Sequence, residues 1–503
     1  MVRTSLVLAA AAALALSATP GHAQQPAQET IHVDASAPGT PFPHFWEQMF
    51  GSGRANLALR AQYQSDLRLV KKAADFRYVR FHGILDDENG VYSLDAQGNP
   101  VYNWTDVDHI YDALLAQGIR PFVEISFMPK ALVAHPVYQA FWYHPIISPP
   151  DDYARWDALI RAFAQHLVDR YGIQEVSQWY FEVWNEPNIG FWAGTPAQQS
   201  YFKLYDHTAR ALKSVSPRLR VGGPATAQAA WIPAMIRHAT EDHVPLDFVS
   251  THVYGNDTAQ NVFHDNRAIP PYQMVSAAVD KVHQEILHSA RPHIPLIWSE
   301  FNAVYDNQQK ITDSIFMGPW LADTISNCDG MTRMMSYWSF SDVFEEQGVK
   351  KTPFYGGFGI VAENGIPKPS YDAFALLHEL GTTRLPAPKD EALVTRRADG
   401  ALVLAAWNYV DPDAMSSATA KTVTFDLSGV SDGAWAEVQR VDAQHGDTLA
   451  AWKQMGSPVD PTPAQTAALR KASEIGPPQG IEVRNHQLTL TIPPMGLAVI
   501  EVP

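Results

Sequence analysis

Between about residues 43 and 380, short runs of β-branched and aromatic residues alternate with longer stretches whose apolar residues recur at helical spacing. That alternation leaves few folds open, because a strand that rejoins its sheet through a helix runs parallel to the one before it, and the helix must cover the sheet. Strand candidates fall at 45–49, 78–83, 120–126, 179–184, 219–223, 248–254, 296–300 and 334–339, each followed by polar or turn-forming residues. Eight parallel strands close into a barrel. Helices are expected at 62–74, 107–117, 154–171 and 272–290, and the prolines of 291–295 mark the return to the seventh strand. The expected fold class is α/β, a (β/α)8 TIM barrel over 43–382.

Beyond residue 382 the texture changes. Strand-like alternation at 401–407, 422–425, 436–441 and 487–492, broken by turn residues, predicts an accessory all-β sandwich over 383–503. Within it, Ala, Leu, Lys and Arg at helical spacing near 461–474 predict a helical insertion. The segment 24–42 precedes the barrel, and its extended run at 31–34 needs a partner sheet, which the sandwich offers. Residues 1–23 read as a secretory signal peptide, with Arg3, an apolar stretch from Leu6 to Leu16 and a small-residue site at Gly21-His22-Ala23. The apolar run is too short to span a bilayer, so the expected location is periplasmic or extracellular. Cys328 is the only cysteine, so an exported chain has no internal disulfide and depends on its core for stability.

A formal charge of −16 with no basic run excludes nucleic acid and anionic membrane as partners, since both require clustered cations. The 14 tryptophans suit the apolar faces of carbohydrates as well as a large core, so position must decide between them. No cofactor and no catalytic metal are expected. The segment 283–288 lacks the order His-Glu-x-x-His, and Gly51-Ser-Gly53 lacks the third glycine of a dinucleotide fold and reads as a tight turn near the barrel mouth. Asn103 and Asn256 head glycosylation sequons in form.

Two acidic residues stand out. In Tyr180-Phe-Glu-Val-Trp-Asn-Glu-Pro-Asn188, period-two alternation puts Glu182, Trp184 and Glu186 on one side, with Glu186 just ahead of a proline that ends the ladder. In Pro295-Leu-Ile-Trp-Ser-Glu-Phe-Asn302, Glu300 closes an apolar run with no other charge, and the cost of burying it unpaired turns it toward the polar barrel mouth. Barrel active sites lie at the carboxyl ends of the strands. Strands four and seven face one another there, so the two carboxyl groups can flank a bound sugar, as glycoside hydrolysis requires.

Trp184-Asn185-Glu186-Pro187 together with Trp298-Ser-Glu300 resembles the clan of barrel glycosidases that retain anomeric configuration. Five further segments narrow the resemblance to glycoside hydrolase family 39, especially its β-xylosidases: Gly51-Ser-Gly-Arg-Ala55, Tyr78-Val-Arg-Phe-His-Gly-Ile-Leu-Asp86, Pro121-Phe-Val-Glu-Ile-Ser-Phe-Met-Pro-Lys-Ala131, Thr251-His-Val-Tyr254 and Tyr337-Trp-Ser-Phe-Ser-Asp-Val-Phe-Glu-Glu346. Ala451-Trp-Lys-Gln-Met-Gly-Ser-Pro458 extends it into the C-terminal region. The resemblance implies an exo-acting, retaining β-D-xylosidase of short xylo-oligosaccharides, with Glu186 as general acid/base and Glu300 as nucleophile. It implies Asn185 at the sugar 2-hydroxyl, and His82, His252 and Tyr254 lining the sugar pocket or orienting the nucleophile. It puts Glu345 and Glu346 by the pocket, the inward one being left open. Trp338, Phe127 and Phe191 offer apolar platforms for sugar faces, with core packing a nearly equal reading for Phe127.

Other sugars keep the same chemistry: an arabinoside, an iduronide or an exopolysaccharide. An iduronide would need cations at the strand ends, where only Arg54 and Arg80 are available. A non-catalytic carbohydrate-binding barrel is the alternative of a different class, and intact Glu186 and Glu300 argue against it. Whether the sandwich binds polysaccharide or braces the barrel, and how many copies assemble, the sequence leaves open.

Overall fold

The computed structural model describes residues 27–350, 352–389 and 392–503, so the expected signal peptide at 1–23 lies outside the described residues. Eight parallel strands close a barrel: Met49–Gly51, Tyr78–Phe81, Arg120–Ile125, Tyr180–Val183, Arg220–Thr226, Phe248–Tyr254, Leu296–Asn302 and Met334–Tyr337. Each is followed by a principal outer helix, namely Ala61–Ala73, Thr105–Leu115, Tyr153–Tyr171, Ala197–Val215, Ile232–Glu241, Pro271–Leu287, Met317–Cys328 and Pro369–His378. The third helix illustrates why these segments coil. Asp152 caps its first turn by accepting from the Ala154 N–H, and Trp156, Leu159, Ile160, Phe163 and Leu167 recur at three- and four-residue spacing on the face it buries.

The first strand differs from the sequence expectation. Residues Phe45–Glu47 form a 3-10 turn, and pairing begins only at Met49. The apolar run there serves packing, with Phe42, Phe45 and Trp46 in mutual ring contact and buried. Gly51 and Gly53 are likewise not turn glycines: a Cβ on Gly51 would lie 2.0 Å from the Trp338 ring and one on Gly53 2.5 Å from the Phe344 carbonyl oxygen. Both allow close approach at the barrel mouth.

Inward side chains stack in layers along the barrel axis. The lowest is apolar, with Met49, Phe122, Tyr180, Phe248, Ile297 and Met334 in one cluster and Tyr78 against it. Two residues farther along their strands come Arg80, Glu124 and Glu182, and two farther again His82 and Ser126, so polarity rises toward the mouth. The register slips between strands six and seven. Thr251 pairs with Trp298 but His252 pairs with Glu300, leaving Ser299 as the extra residue of a bulge that turns Glu300 and His252 toward each other.

Two further sheets face each other beside the barrel. A seven-stranded sheet includes Leu402–Trp407, Trp435–Val441 and Leu497–Val502, and a three-stranded sheet consists of Ala27–Asp34, Lys421–Ser428 and Gln487–Ile492. Ala27–Asp34 pairs in parallel with Lys421–Ser428, and its Ile31 and Val33 join the apolar core between the sheets. Helix Pro463–Ala472, with a Thr462–Gln465 capping box, and helix Thr448–Gln454 pack Leu469, Leu449 and Trp452 onto Phe354, Ala362 and Ile366, downstream of the eighth barrel strand.

Candidate active site

Arg80 organises the barrel mouth. Its side chain is fully buried and reaches four partners: Nε donates to Glu182 at 2.5 Å, one terminal nitrogen to Glu300 at 2.6 Å, and the other to Asn185 at 2.9 Å while lying 2.8 Å from Glu124. Glu124 and Glu182 are direct neighbours in the pairing of strands three and four, so without a cation between them two buried carboxylates would repel. Burial opposes the charge on Arg80, but Glu124, Glu182 and Glu300 more than offset it and raise its proton affinity. Arg80 is a structural counterion as much as a ligand of Glu300.

Glu300 has a second partner in Tyr254, whose hydroxyl donates to the other carboxylate oxygen at 2.7 Å. Burial pushes the Glu300 carboxyl up, while Arg80, His82 and the Tyr254 hydrogen bond pull it down. At Glu186 the pull of Arg80 ranks below the main influences that raise it. Burial, the charge of Glu300 and the charge of Asp257 together hold it well above the usual carboxylate range. The two carboxyl groups converge on His252: a ligand atom from each of Glu186, His252 and Glu300 lies within 4.8 Å of the others. His252 Nδ1 is 3.0 Å from Glu186 and 3.7 Å from Glu300, and its Nε2 is 3.1 Å from the Ser299 hydroxyl. Burial, then Arg80 and His82, hold the His252 proton affinity far below its ordinary value, so the ring is neutral. In the tautomer with Nδ1–H donating to Glu186, Nε2 accepts from Ser299.

The backbone at Glu186 is in the left-handed region, with φ of 41°, as is Trp184 with φ of 71°. Such positions store strain and occur where the surroundings fix them. Here the Glu186 N–H donates to the Ala225 carbonyl at 2.8 Å, and Trp184 Nε1 donates to the Phe191 carbonyl at 2.7 Å.

A cavity of about 270 Å³ opens over this group and is lined by Glu186, Glu300, Asn185, His82, Tyr254, Trp338 and Glu346, with Phe191 and other residues completing it. Its size suits a small ligand, lying just under the lower bound of about 300 Å³ common for drug-sized sites. The other three proposed site residues sit outside it. His252 is wholly buried beneath Glu186. Phe127 is also wholly buried, its ring edge-on to Trp184 and parallel to Phe191, so it backs the wall without facing the cavity. Glu345 turns away to Arg54 and Arg60, the former at 3.1 Å. Its neighbour Glu346 faces the cavity instead, 3.6 Å from His82 Nε2, and burial followed by the charges of Glu300 and Glu124 pushes its carboxyl up to about 8 against the pull of His82. The choice between the two glutamates is thus made by the arginines that capture Glu345.

Sequence reasoning missed Glu124 as a site residue and treated Arg80 only as a cation for an acidic sugar. The signal was present: Tyr78, Arg80 and His82 share one strand face, as do Phe122 and Glu124, so the polar layer was implied by alternation. Among the described residues a second group of potential metal ligands, His44, Glu47 and His378, lies where the chain joins and leaves the barrel, with hydrogen-bond distances of 2.7 and 2.9 Å to Glu47.

The model of glycosyl hydrolases family 39 matches residues 29–485. A β-xylosidase of Geobacillus stearothermophilus is 39% identical over 434 residues, covering 84% of both chains. A β-xylosidase of Caldicellulosiruptor saccharolyticus is 35% identical over 470 residues, covering 91% of this chain and 94% of the relative. A crystal structure of a monomeric β-xylosidase from Caulobacter crescentus CB15 superposes with a TM-score of 0.85 at 33% identity, covering 94% of this chain and 99% of the other.

Proposed function

Because the chain belongs to glycosyl hydrolase family 39 and is a glycoside hydrolase, we propose that it acts as a retaining, exo-acting β-D-xylosidase that releases xylose from the non-reducing ends of xylo-oligosaccharides. The observation that carries this reading is the convergence of Glu186 and Glu300 within 4.8 Å at the mouth of a closed barrel, over a cavity of about 270 Å³. Retaining enzymes hold their carboxyl groups about 5–5.5 Å apart, close enough for one to attack the anomeric carbon directly.

In the first step Glu300, oriented by Arg80 and Tyr254, attacks that carbon as the carboxylate while Glu186 gives its proton to the departing glycosidic oxygen. The charge of Glu300 helps keep Glu186 protonated beforehand. Formation of the ester removes that charge, so Glu186 becomes a competent base and draws a proton from the water that frees the sugar. Export by a signal peptide belongs to the same proposal.

An iduronide is disfavoured by the electrostatics of the cavity. Arg54 is engaged by Glu88 and Glu345, Arg60 by Glu345, and Arg80 by buried carboxylates, while Glu346 faces the ligand space. No lysine or arginine among the described residues lines that cavity to meet a uronate carboxylate. Time-resolved proton NMR of aryl β-D-xylopyranoside hydrolysis tests the reading. β-Xylose should appear first, α-xylose appearing first would remove Glu300 as nucleophile, and no release would remove xylose as the glycone.

A further inference from the structure

At the end of the barrel opposite Glu186 and Glu300, two segments far apart in sequence come together. The turn Phe45–Glu47 leads into the first strand, and the last outer helix, Pro369–His378, returns to the same end as it runs back from the mouth. The Phe42 N–H donates to the Thr382 carbonyl at 2.8 Å there, and Pro41 pairs with Thr383.

Between these segments the Glu47 side chain is only 4% exposed, and among the described residues no lysine or arginine is paired with it. A buried carboxylate needs a cationic partner or a metal ion. Glu47 has two imidazoles instead: Nδ1 of His44 lies 2.7 Å from its Oε1, and Nδ1 of His378 lies 2.9 Å from each of its oxygens. A ligand atom from each of the three residues lies within 4.8 Å of the others.

His44 is oriented as a metal ligand. Its Nε2 is 3.0 Å from the Leu380 carbonyl oxygen, which can only accept, so that nitrogen carries the N–H. A neutral ring then points its Nδ1 lone pair at the Glu47 carboxylate, and two acceptors at 2.7 Å require a proton or a metal ion between them. A backbone carbonyl on the far nitrogen is the usual outer contact of a ligating histidine. His378 ends its helix, where the aligned peptide dipoles favour a cation, and its side chain is 36% exposed, so an ion can enter and keep a water molecule. The other group of this kind, Glu186, His252 and Glu300, suits a cation less, because the Arg80 guanidinium already lies 2.6 Å from Glu300.

We propose that His44, Glu47 and His378 bind a divalent transition metal ion of the Zn2+ class through two imidazole nitrogens and one carboxylate, with water completing the shell. Two nitrogen donors out of three select such an ion over Ca2+ or Mg2+, which take oxygen ligands. Tetrahedral bonds of about 2.0–2.1 Å place donor atoms about 3.3 Å apart, so the cluster opens by about half an ångström to take the ion. The ion ties the entry of the barrel to its last helix, and its role is structural, because the reacting carboxyl groups lie at the other end.

Calorimetric titration of the full-length, EDTA-treated protein with Zn2+ and with Ca2+ tests the site in wild type, His378→Ala and Glu47→Gln. His378 is partly exposed at a helix end and Glu47→Gln keeps the side-chain shape, so both variants should retain the wild-type circular dichroism. The wild type should bind one Zn2+ with a Kd below about 100 μM and Ca2+ at least about tenfold more weakly, and each variant should weaken Zn2+ binding at least about tenfold. A wild-type Kd for Zn2+ above about 100 μM overturns the site, and Ca2+ binding within about tenfold of Zn2+ overturns the assigned ion. A loss smaller than about tenfold in either variant puts the ion on other residues and overturns the site as well.

Discussion

At Glu186 burial, the charge of Glu300 and the charge of Asp257 all favour the protonated acid. On the proposed mechanism activity needs Glu186 protonated and Glu300 ionised, so the rate should fall as pH rises through the raised value of Glu186 and fall again at low pH as Glu300 takes a proton. Glu300→Gln removes one source of the shift, so the Glu186 midpoint should move down, read by NMR titration of labelled carboxyl carbons; an unmoved midpoint would mean that burial alone sets it. Glu300→Gly should lose at least about 10⁴-fold in turnover of every substrate. Glu186→Ala should lose about 10²–10⁴-fold on xylobiose, much less in the first step with an activated aryl leaving group, and recover deglycosylation with azide. Equal loss on all substrates would count against the acid/base role.

Among the elements, the polar layer inside the barrel couples strands two, three, four and seven through one guanidinium. Arg80→Met leaves Glu124, Glu182 and Glu300 without their shared cation, and breaking a buried ion pair of this kind costs about 3–5 kcal/mol. Chemical denaturation should register that loss, together with a lower Glu300 acidity in the pH profile. A smaller change tests the first strand. In Gly51→Ala the new methyl would lie 2.0 Å from the Trp338 ring, which must swing into the cavity wall, so KM should rise several-fold with the fold retained by circular dichroism. An unchanged KM would show that Trp338 can yield without reshaping the pocket.

Across the whole molecule, the chain's first described strand closes onto its last third. Ile31 is 1% exposed between the two sheets and paired opposite Phe425, so Ile31→Asp would bury an unpaired carboxylate far from the barrel mouth. A loss of at least about 2 kcal/mol is expected in thermal or denaturant unfolding, with kcat of the folded fraction unchanged. A fall in kcat would instead reveal coupling through the helices that dock Trp452 and Leu469 beside Phe354.

Alternation of apolar runs, the charges stranded within them and the prolines that end them were sufficient to determine eight parallel strands and the two acids at the ends of strands four and seven, because strand periodicity and the cost of an unpaired charge are local properties. Local apolarity misled at 45–49, where packing rather than pairing uses the rings. Only the tertiary structure decided that Glu346 and not Glu345 faces the cavity, that Phe127 lies behind the wall, and that Arg80 holds three acids at once. Each of those outcomes depends on partners far away in sequence, such as Arg54 with Glu345 at a separation of 291 and Arg80 with Glu300 at 220. The bulge at Ser299 belongs with them, since a one-residue slip between paired strands reverses which side chains face the ligand and is fixed by the fit of both strands together.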